Sequence, residues 1–585
     1  MTHYDIIIES GTIIDGQRTP RFKGDVGIKD GKVAAIVGAG GLSRQSANKR
    51  IDARGLIVAP GFVDLHTHYD AQLFWDPYCT IGGWHGVTSV IIGNCGFGIA
   101  PCRPEMRDRT MRGLTRNEAI SYDAMKAGIP WDWTTFPEYM NSVEHAPKAV
   151  NIVSYVGLAP ILAHVMGGAE SAKARRPTRS ELDEMKRLLN ESLDAGACGI
   201  SAQRLGVNAI QRDFDGTPMI TDLMHIDDFY ELVSVLKDHG RGVVQCTGLS
   251  MDESEKTCEV SGANLIYNAI ALECDQHGMK TDGWERFAEW AAEANRRGYR
   301  ICPQLIITGV DYEFTLEDWN LYDFSPLWRD LTLGTVTERL EKMGDLSRRP
   351  ALREEFDNLT KNSDMPNATA AVQFNTLAGN SVNLVEREDL RKYEGMTIRQ
   401  IANTESKHPV DVMLDLAVAD ELRTTFATPP NQLNPQHMQV LLKSPFTLPG
   451  LSDGGAHMKF LWMGRYTTEY LTVWVRQHNL VDLEYAHWHL SAAPAMAGGL
   501  VDRGVIRVGL PADIIVYDYD KLGWTEVEKV TDLPAGDWRR ISKGVGYRYT
   551  IVNGEITLID NEPTGKMSGQ LLRHGVSKIT MFKAA

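Results

Sequence analysis

The chain has 585 residues, 43% of them hydrophobic and 23% charged, with a formal net charge of −15. That length exceeds one simple core and predicts a large domain with a smaller one, while the acidic balance argues against a nucleic-acid partner, whose phosphates it would repel. Eight cysteines without a CxxC pair exclude a disulfide framework.

No apolar run approaches the ~20 residues of a membrane helix. No charged-then-apolar leader precedes "DIIIESGTIIDG". A cytoplasmic protein with no membrane attachment is therefore expected. The first sixty residues read as short strands with Gly and Asp turns: "DIIIESGTIIDG", "GDVGIKDGKVAAIV" and "RIDARGLIVAPGF". The last ninety resemble them, with "RGVIRVGLPADIIVYDYD" and "RYTIVNGEITLID". Residues 1–60 and 495–585 are expected to pair into one small β-sandwich domain.

Between the ends, strand-like runs alternate with helical patterns. "GVTSVIIGNCGFG" and "AVNIVSYVGLAPILAH" are strands feeding loops. In "PTRSELDEMKRLLNESLDAGACGIS", Thr178 and Glu181 have capping-box spacing. Leu182, Met185, Leu188, Leu189 and Leu193 form an apolar helical face, and Gly196 is placed to stop the helix before "ACGIS". "HIDDFYELVSVLKDHGRGVVQCTG" and "WERFAEWAAEANRRGYRICPQLI" repeat helix then strand. Such alternation predicts an α/β protein with a parallel sheet. Over residues 61–494 a (β/α)8 TIM-like barrel fits best, since barrels need roughly 250 residues before insertions; a doubly wound open sheet is the alternative. Residues 310–360 carry several aromatics and then a charged helical segment, which reads as an inserted lid over the barrel mouth.

The chemistry begins at "PGFVDLHTHYD". His66 and His68 lie two apart at the end of a strand, so they share one face while Thr67 takes the other. Two imidazoles at a barrel mouth suit a divalent ion such as Zn²⁺. Cys95 follows the next strand in the Gly-rich "GNCGFG", where a thiolate would be a third ligand. Asp453 in "LPGLSDGGAHM" is a candidate metal ligand and general base, although Asp-Gly is also a common turn pair. His487 and His489 in "HWHL" share the HxH spacing but follow a helical pattern, where i and i+2 diverge, so they read as structural.

Taken together, "VAPGFVDLHTHYDAQ", "GVTSVIIGNCGFGIAP", "AGACGIS", "LSDGGAH" and "DRGVIRVGLPADIIVYD" resemble the amidohydrolase superfamily. Within it the resemblance is to the N-acyl-D-amino-acid deacylases, or D-aminoacylase group. It spans nearly the whole chain and implies a barrel with a flanking β-sandwich and metal-assisted amide hydrolysis. It also implies His66, His68 and Cys95 as ligands and Asp453 as the catalytic aspartate. The sequence departs from the family where histidines follow the fifth and sixth strands. The fifth reads "GRGVVQCTG", with Gln245 and Cys246. The sixth is taken as "YRICPQLI", with Cys302, Pro303 and Gln304, and the fourth region as "SYVGLAPILAH". One Zn²⁺ is therefore favoured over two. Cys246, His225, His164 and His457 are reserve ligands.

The implied reaction uses a zinc-activated water, with Asp453 taking its proton and returning it to the departing nitrogen. Arg465 in "LWMGRYTTEY" is a candidate clamp for a substrate carboxylate. The expected partner is a small-molecule amide, and a homo-oligomer is compatible with this reading. The alternatives are an amidohydrolase acting on a cyclic or non-amino-acid amide, and a non-catalytic assembly or binding protein.

Overall fold

The computed structural model describes residues 2–209, 211–270, 283–309, 312–318, 322–361, 377–429, 433–460 and 463–574. Of the segments read above, positions 310, 311 and 319–321 of the insert and 575–585 of the last strand-rich stretch lie outside the described residues.

The two ends of the chain share a nine-stranded sheet. Ile57–Pro60 runs antiparallel to Ile514–Tyr517, with Ile57 opposite Tyr517 and Pro60 opposite Ile514. The cause lies in the alternation of each strand. Ile8, Val26, Ile28, Ile51, Val58, Ile514, Val516 and Ile551 all turn to one side and form a common apolar core. Asp513, next to the seam, is buried, pairs with Arg503 at 3.0 Å and accepts from Asn151 Nδ2 at 2.9 Å. That link ties the sheet to the central strands.

Among the described residues those central strands are parallel and eight in number: Phe62–Asp64, Val87–Ile92, Asn151–Ser154 continuing as Val156–Gly157, Gly199–Gln203, Val243–Thr247, Asn264–Ile270, Ile301–Leu305 and Leu448–Pro449. Each pairs with the next in chain order. A parallel bridge between Thr67 and Gly454 brings the chain after the eighth strand beside the chain after the first. Val63, Ile91, Val153, Val243, Ile266 and Leu448, from six of the strands, meet in one buried cluster.

Two expected strand positions are corrected. "SYVGLAPILAH" contains the third strand, and "YRICPQLI" contains the seventh. The sixth is "NLIYNAI" (Asn264–Ile270), a segment whose Asn264 and Asn268 interrupt the apolar run and hide it from a hydrophobicity reading. Between the third and fourth strands the expected cap forms: Thr178 Oγ1 accepts from Glu181 N at the start of helix Arg179–Asp194.

Between the seventh and eighth strands the chain builds a separate packed unit. Helices Pro326–Thr332, Val336–Gly344 and Arg349–Lys361 pack with Ile398–Glu405 and Pro409–Ala419 around Trp328, Met343, Phe356, Met413 and Phe426. The unit therefore runs beyond residue 360, because the apolar "PVDVMLDLAVA" supplies the other half of its core. Ala119 and Phe460 belong to the same cluster. No helix among the described residues is long and apolar enough to cross a membrane.

His487 and His489 lie buried on helix Leu483–Leu490. His487 Nε2 meets Tyr517 Oη at 2.8 Å, and His489 Nε2 meets Thr447 O at 2.6 Å. Burial pushes His487 down to about 3 and His489 to about 4. Both stay neutral in the fold, whereas an unfolded histidine titrates near ~6.5. The unfolded chain thus gains protons that the folded chain refuses, and stability drops as pH falls from ~6.5 towards ~4. In denaturant titrations across that window, His487→Gln is expected to flatten the slope by about one proton, or ~1.4 kcal/mol per pH unit.

Candidate metal centre

The first parallel strand ends at Asp64, and His66 and His68 follow directly, both buried. Thr67 turns away and donates its hydroxyl to Ile91 O at 2.8 Å. The two imidazoles, on one side, have ring centroids 5.4 Å apart. Cys95 comes from the turn after the second strand. Gly93, Cys95 and Gly96 all take positive φ (78°, 57° and 73°). The turn curls tightly enough that a Cβ on Gly93 would sit 2.6 Å from Tyr155 O. The turn is pinned by Cys95 N donating to Gln245 Oε1 at 2.8 Å. The Cys95 sulfur then lies 3.3 Å from His66 Nε2.

Asp453 is delivered by the loop after the eighth strand, at φ 49°. One carboxylate oxygen is 3.3 Å from His66 Nε2 and 3.6 Å from His68 Nε2. Its side chain is 14% exposed, against 0% and 3% for the two imidazoles, so it forms the solvent-facing side of the cluster. Ligand atoms of His66, His68 and Cys95 all lie within 4.8 Å of one another. A tetrahedral Zn²⁺ separates its nitrogen and sulfur ligands by roughly 3.5 Å, so this donor set fits one ion with small adjustment.

Two further residues complete the ring. Glu118, at the end of helix Arg107–Glu118, is 1% exposed and points one oxygen at His457 Nε2 (3.1 Å) and His68 Nε2 (3.7 Å). His457 Nε2 is also 3.7 Å from Asp453. Burial lowers His66 to about 4. Burial, with Glu118 and Asp453 nearby, pushes the Cys95 thiol well up. For Glu118 burial works upward, but His68, His457 and His66 outweigh it and hold the carboxyl at about 2. Without a cation the site thus contains a protonated thiol beside an ionised carboxylate.

The remaining expected ligands lie elsewhere. Cys246 is buried among apolar side chains on the outer face of its strand. Its neighbours Gln245 and Thr247 take the inner face, because alternation sends i and i+1 opposite ways. His225 is an exposed helix cap, accepting from Asp227 N at 3.3 Å. His164 is half-buried on helix Leu158–Met166, where Arg103, Glu184, Glu105 and Arg187 are its charged neighbours. Arg465 pairs with Glu469 at 3.1 Å and stacks over Trp524 at 4.9 Å.

Residues 49–558 match the amidohydrolase family. The chain belongs to the amidohydrolase family. This amidohydrolase is 26% identical to N-acyl-D-glutamate deacylase of Alcaligenes xylosoxydans xylosoxydans, over 98% of the chain and 97% of the relative. It is 34% identical to D-aminoacylase of the same organism over 198 residues, 34% of the chain and 37% of the relative. Among solved structures it superposes on N-acyl-D-glutamate deacylase from Bordetella bronchiseptica, complexed with zinc and a phosphonate inhibitor. The TM-score is 0.66 at 20% identity, covering 98% of the chain and all of the neighbour. A D-aminoacylase with a binuclear metal centre gives TM-score 0.65 at 22% identity, covering 97% and 100%. These structural likenesses establish the α/β fold. Membership makes the protein a hydrolase of carbon–nitrogen bonds other than peptide bonds.

Sequence reading of this amidohydrolase missed Glu118, Gln245 and Gln304. Glu118 sits in "TRNEAIS", where nothing but the pairing of two polar residues at an inward helix end sets it apart. Gln304 Oε1 faces His66 Nδ1 at 3.3 Å and orients the ring. Gly157 supports the cysteine turn from below: a Cβ there would lie 2.0 Å from Phe97 O and 2.8 Å from Gly96 O. Gly157→Ala is expected to cost about 3 kcal/mol in chemical denaturation and to weaken metal retention, because the turn carrying Cys95 must move.

Proposed function

We propose that this amidohydrolase is a metal-dependent N-acyl-D-amino-acid deacylase-like enzyme of the cytoplasm, with His66, His68, Cys95 and Asp453 as its centre. The supporting observation is the convergence of two imidazoles, a thiol and a partly exposed carboxylate, from three separate loops, within a few ångströms. In this reading the eight parallel strands close as a (β/α)8 barrel over residues 61–494. The segments 1–60 and 495–585 form the β-sandwich, and the insert around 310–360 with its packed partners is the lid.

A Zn²⁺ held by the two imidazoles and the Cys95 sulfur would acidify water and polarise an amide carbonyl. The chain's own residues do the rest. Gln304 fixes the His66 tautomer by accepting from Nδ1–H, which leaves Nε2 free as a ligand. Asp453 takes the water proton and hands it to the departing nitrogen. Arg465 is the proposed clamp for a substrate carboxylate. It already holds the Glu469 carboxylate, so substrate would exchange one carboxylate for another. An apolar pocket lined by Phe97, Met106, Leu114, Pro160, Met219 and Ile220 suits an acyl chain; Phe97 lies 6.4 Å from the His68 ring.

Family membership sets aside the non-catalytic alternative, while hydrolysis of a cyclic amide stays as the second reading. A panel of N-acyl D- and L-amino acids and cyclic amides, assayed with the zinc-loaded protein, separates the two: acyl cleavage gives two products and ring opening one. Release of free D-amino acid is the expected result; activity confined to cyclic amides would replace the proposal. Arg465→Lys is expected to raise KM for N-acyl amino acids by roughly tenfold with kcat little changed, since the bidentate pair is lost but the charge is kept.

A further inference from the structure

We propose that Arg212 and Arg329 form a binding site for a small oxyanion, a carboxylate or a phosphate, at the seam between the loop after the fourth strand and the inserted unit. The site is separate from the cluster of His66, His68 and Cys95 and does not depend on the deacylase reading.

Arg212 is 6% exposed, and its Nε is buried without a hydrogen-bond partner. Among the described residues its guanidinium forms no ion pair and donates to no acceptor. A buried charge is normally paired, because leaving water without a partner is costly. The carboxylates around this one are taken. Asp213, the next residue, accepts from two nitrogens of Arg109 at 3.0 and 2.9 Å and pairs with Lys173 at 2.7 Å. Asp222 accepts from Gln203 Nε2 at 2.8 Å and from Gly206 N at 3.0 Å. Asp323 is held by Arg116 and by Thr332 Oγ1 at 2.9 Å.

The backbone fixes Arg212 at this seam. Arg212 and Pro218 are bridged antiparallel, and Asp213 N donates to Thr217 O at 2.9 Å, so residues 212–218 form a tight turn. The turn lies against the insert: a Cβ on Gly216 would sit 2.9 Å from Leu333 Cδ1 and 3.4 Å from Arg329 Cδ. Arg329, on helix Pro326–Thr332, donates to the backbone oxygen of Asp323 at 3.0 Å and has no carboxylate partner among the described residues. Arg116, Arg212 and Arg329 thus neighbour one buried carboxylate, Asp323. That leaves positive charge at the seam of a chain whose formal net charge is −15.

A guanidinium fork matches two oxygens of a carboxylate or phosphate at once. One fork here comes from the loop and one from the insert, so an oxyanion held by both would tie the two together. A groove lined by Arg116, Phe214, Leu333 and Arg339 runs along the same seam and connects it to solvent. The site also lies beside the metal centre. Gln203, which Asp222 holds, ends the fourth strand against the cysteine turn, where a Cβ on Gly96 would be 2.9 Å from Gln203 N. A carboxylate at the far end of a substrate and a free phosphate are therefore two sources of one chemistry.

The test is thermal unfolding of the zinc-loaded protein in chloride buffer, with inorganic phosphate or acetate added at constant ionic strength. A saturable rise in Tm of roughly 3 °C is expected with at least one of the two anions. Arg212→Met removes the charge and keeps an apolar stem. It should be at least as stable as wild type without anion and should lose the rise. Arg329→Gln should weaken anion binding roughly tenfold. Should one variant fail to fold, the other decides. No rise with either anion overturns the site, and so does a rise that both variants keep, which places the anion on zinc. The readout needs no turnover, so absence of deacylase activity leaves it decided. With N-acyl amino acids that are turned over, phosphate that raises KM in wild type but not in Arg212→Met assigns the site to a substrate carboxylate. A KM indifferent to phosphate, with the Tm rise present, assigns it to a free oxyanion.

Discussion

Asp453→Asn is expected to lower turnover by roughly three orders of magnitude while zinc content stays near one ion per chain. Asparagine keeps the shape of the side chain and an oxygen that faces His66 and His68, now 3.3 and 3.6 Å from the aspartate. What it removes is the capacity to take a proton. The loss should appear in kcat rather than KM, because the proton moves only once the reaction begins. Steady-state assay and elemental analysis of one preparation check both halves. Full activity in the variant would remove Asp453 from the chemistry. Loss of zinc together with activity would make it a ligand before a base.

The second large effect concerns Cys95→Ala. With the sulfur gone, two imidazoles remain from the three-atom group, and zinc retention after dialysis should fall by at least tenfold, with activity following it. The fold should hardly notice. Cys95 is a small buried group whose thiol is held protonated by burial and by Glu118 and Asp453, so thermal unfolding of the metal-free variant should match metal-free wild type. The same raised thiol gives a pH dependence with a definite sign. Zinc must displace that proton, so affinity rises with pH in the wild type. In Cys95→Ala that part of the slope disappears. Equal slopes in the two proteins would place the released proton elsewhere.

How much of this was legible in the sequence depended on whether a residue's role was local. His66 and His68 were visible because they close a strand, and Cys95 because it opens a Gly-rich turn after the next one; Asp453, in a common Asp-Gly pair, stood out only through the family resemblance of "LSDGGAH". That the two strand-rich ends would meet in one sheet was suggested by their likeness to each other, and strands from both ends lie in the nine-stranded sheet. Glu118 was invisible because its meaning comes from groups 50 residues before and more than 330 residues after it. Cys246 misled for the opposite reason. Its position beside Gln245 looked right in one dimension, but one step along a strand reverses the side chain. The sixth strand was overlooked because polar side chains at Asn264 and Asn268 broke the apolar signal that marks the other strands, so "YRICPQLI" was counted one place early.

The seam between Ile57–Pro60 and Ile514–Tyr517 has a consequence for synthesis. The strand just before the one that leads into His66 is stitched to a segment made some 450 residues later. A ribosome-bound chain that stops short of residue 514 would therefore present that edge unpaired, with Ile57 and Val58 uncovered. Nascent chains stalled before residue 514 should be protease-sensitive around Leu56 and should bind zinc poorly, and the centre should mature only after release.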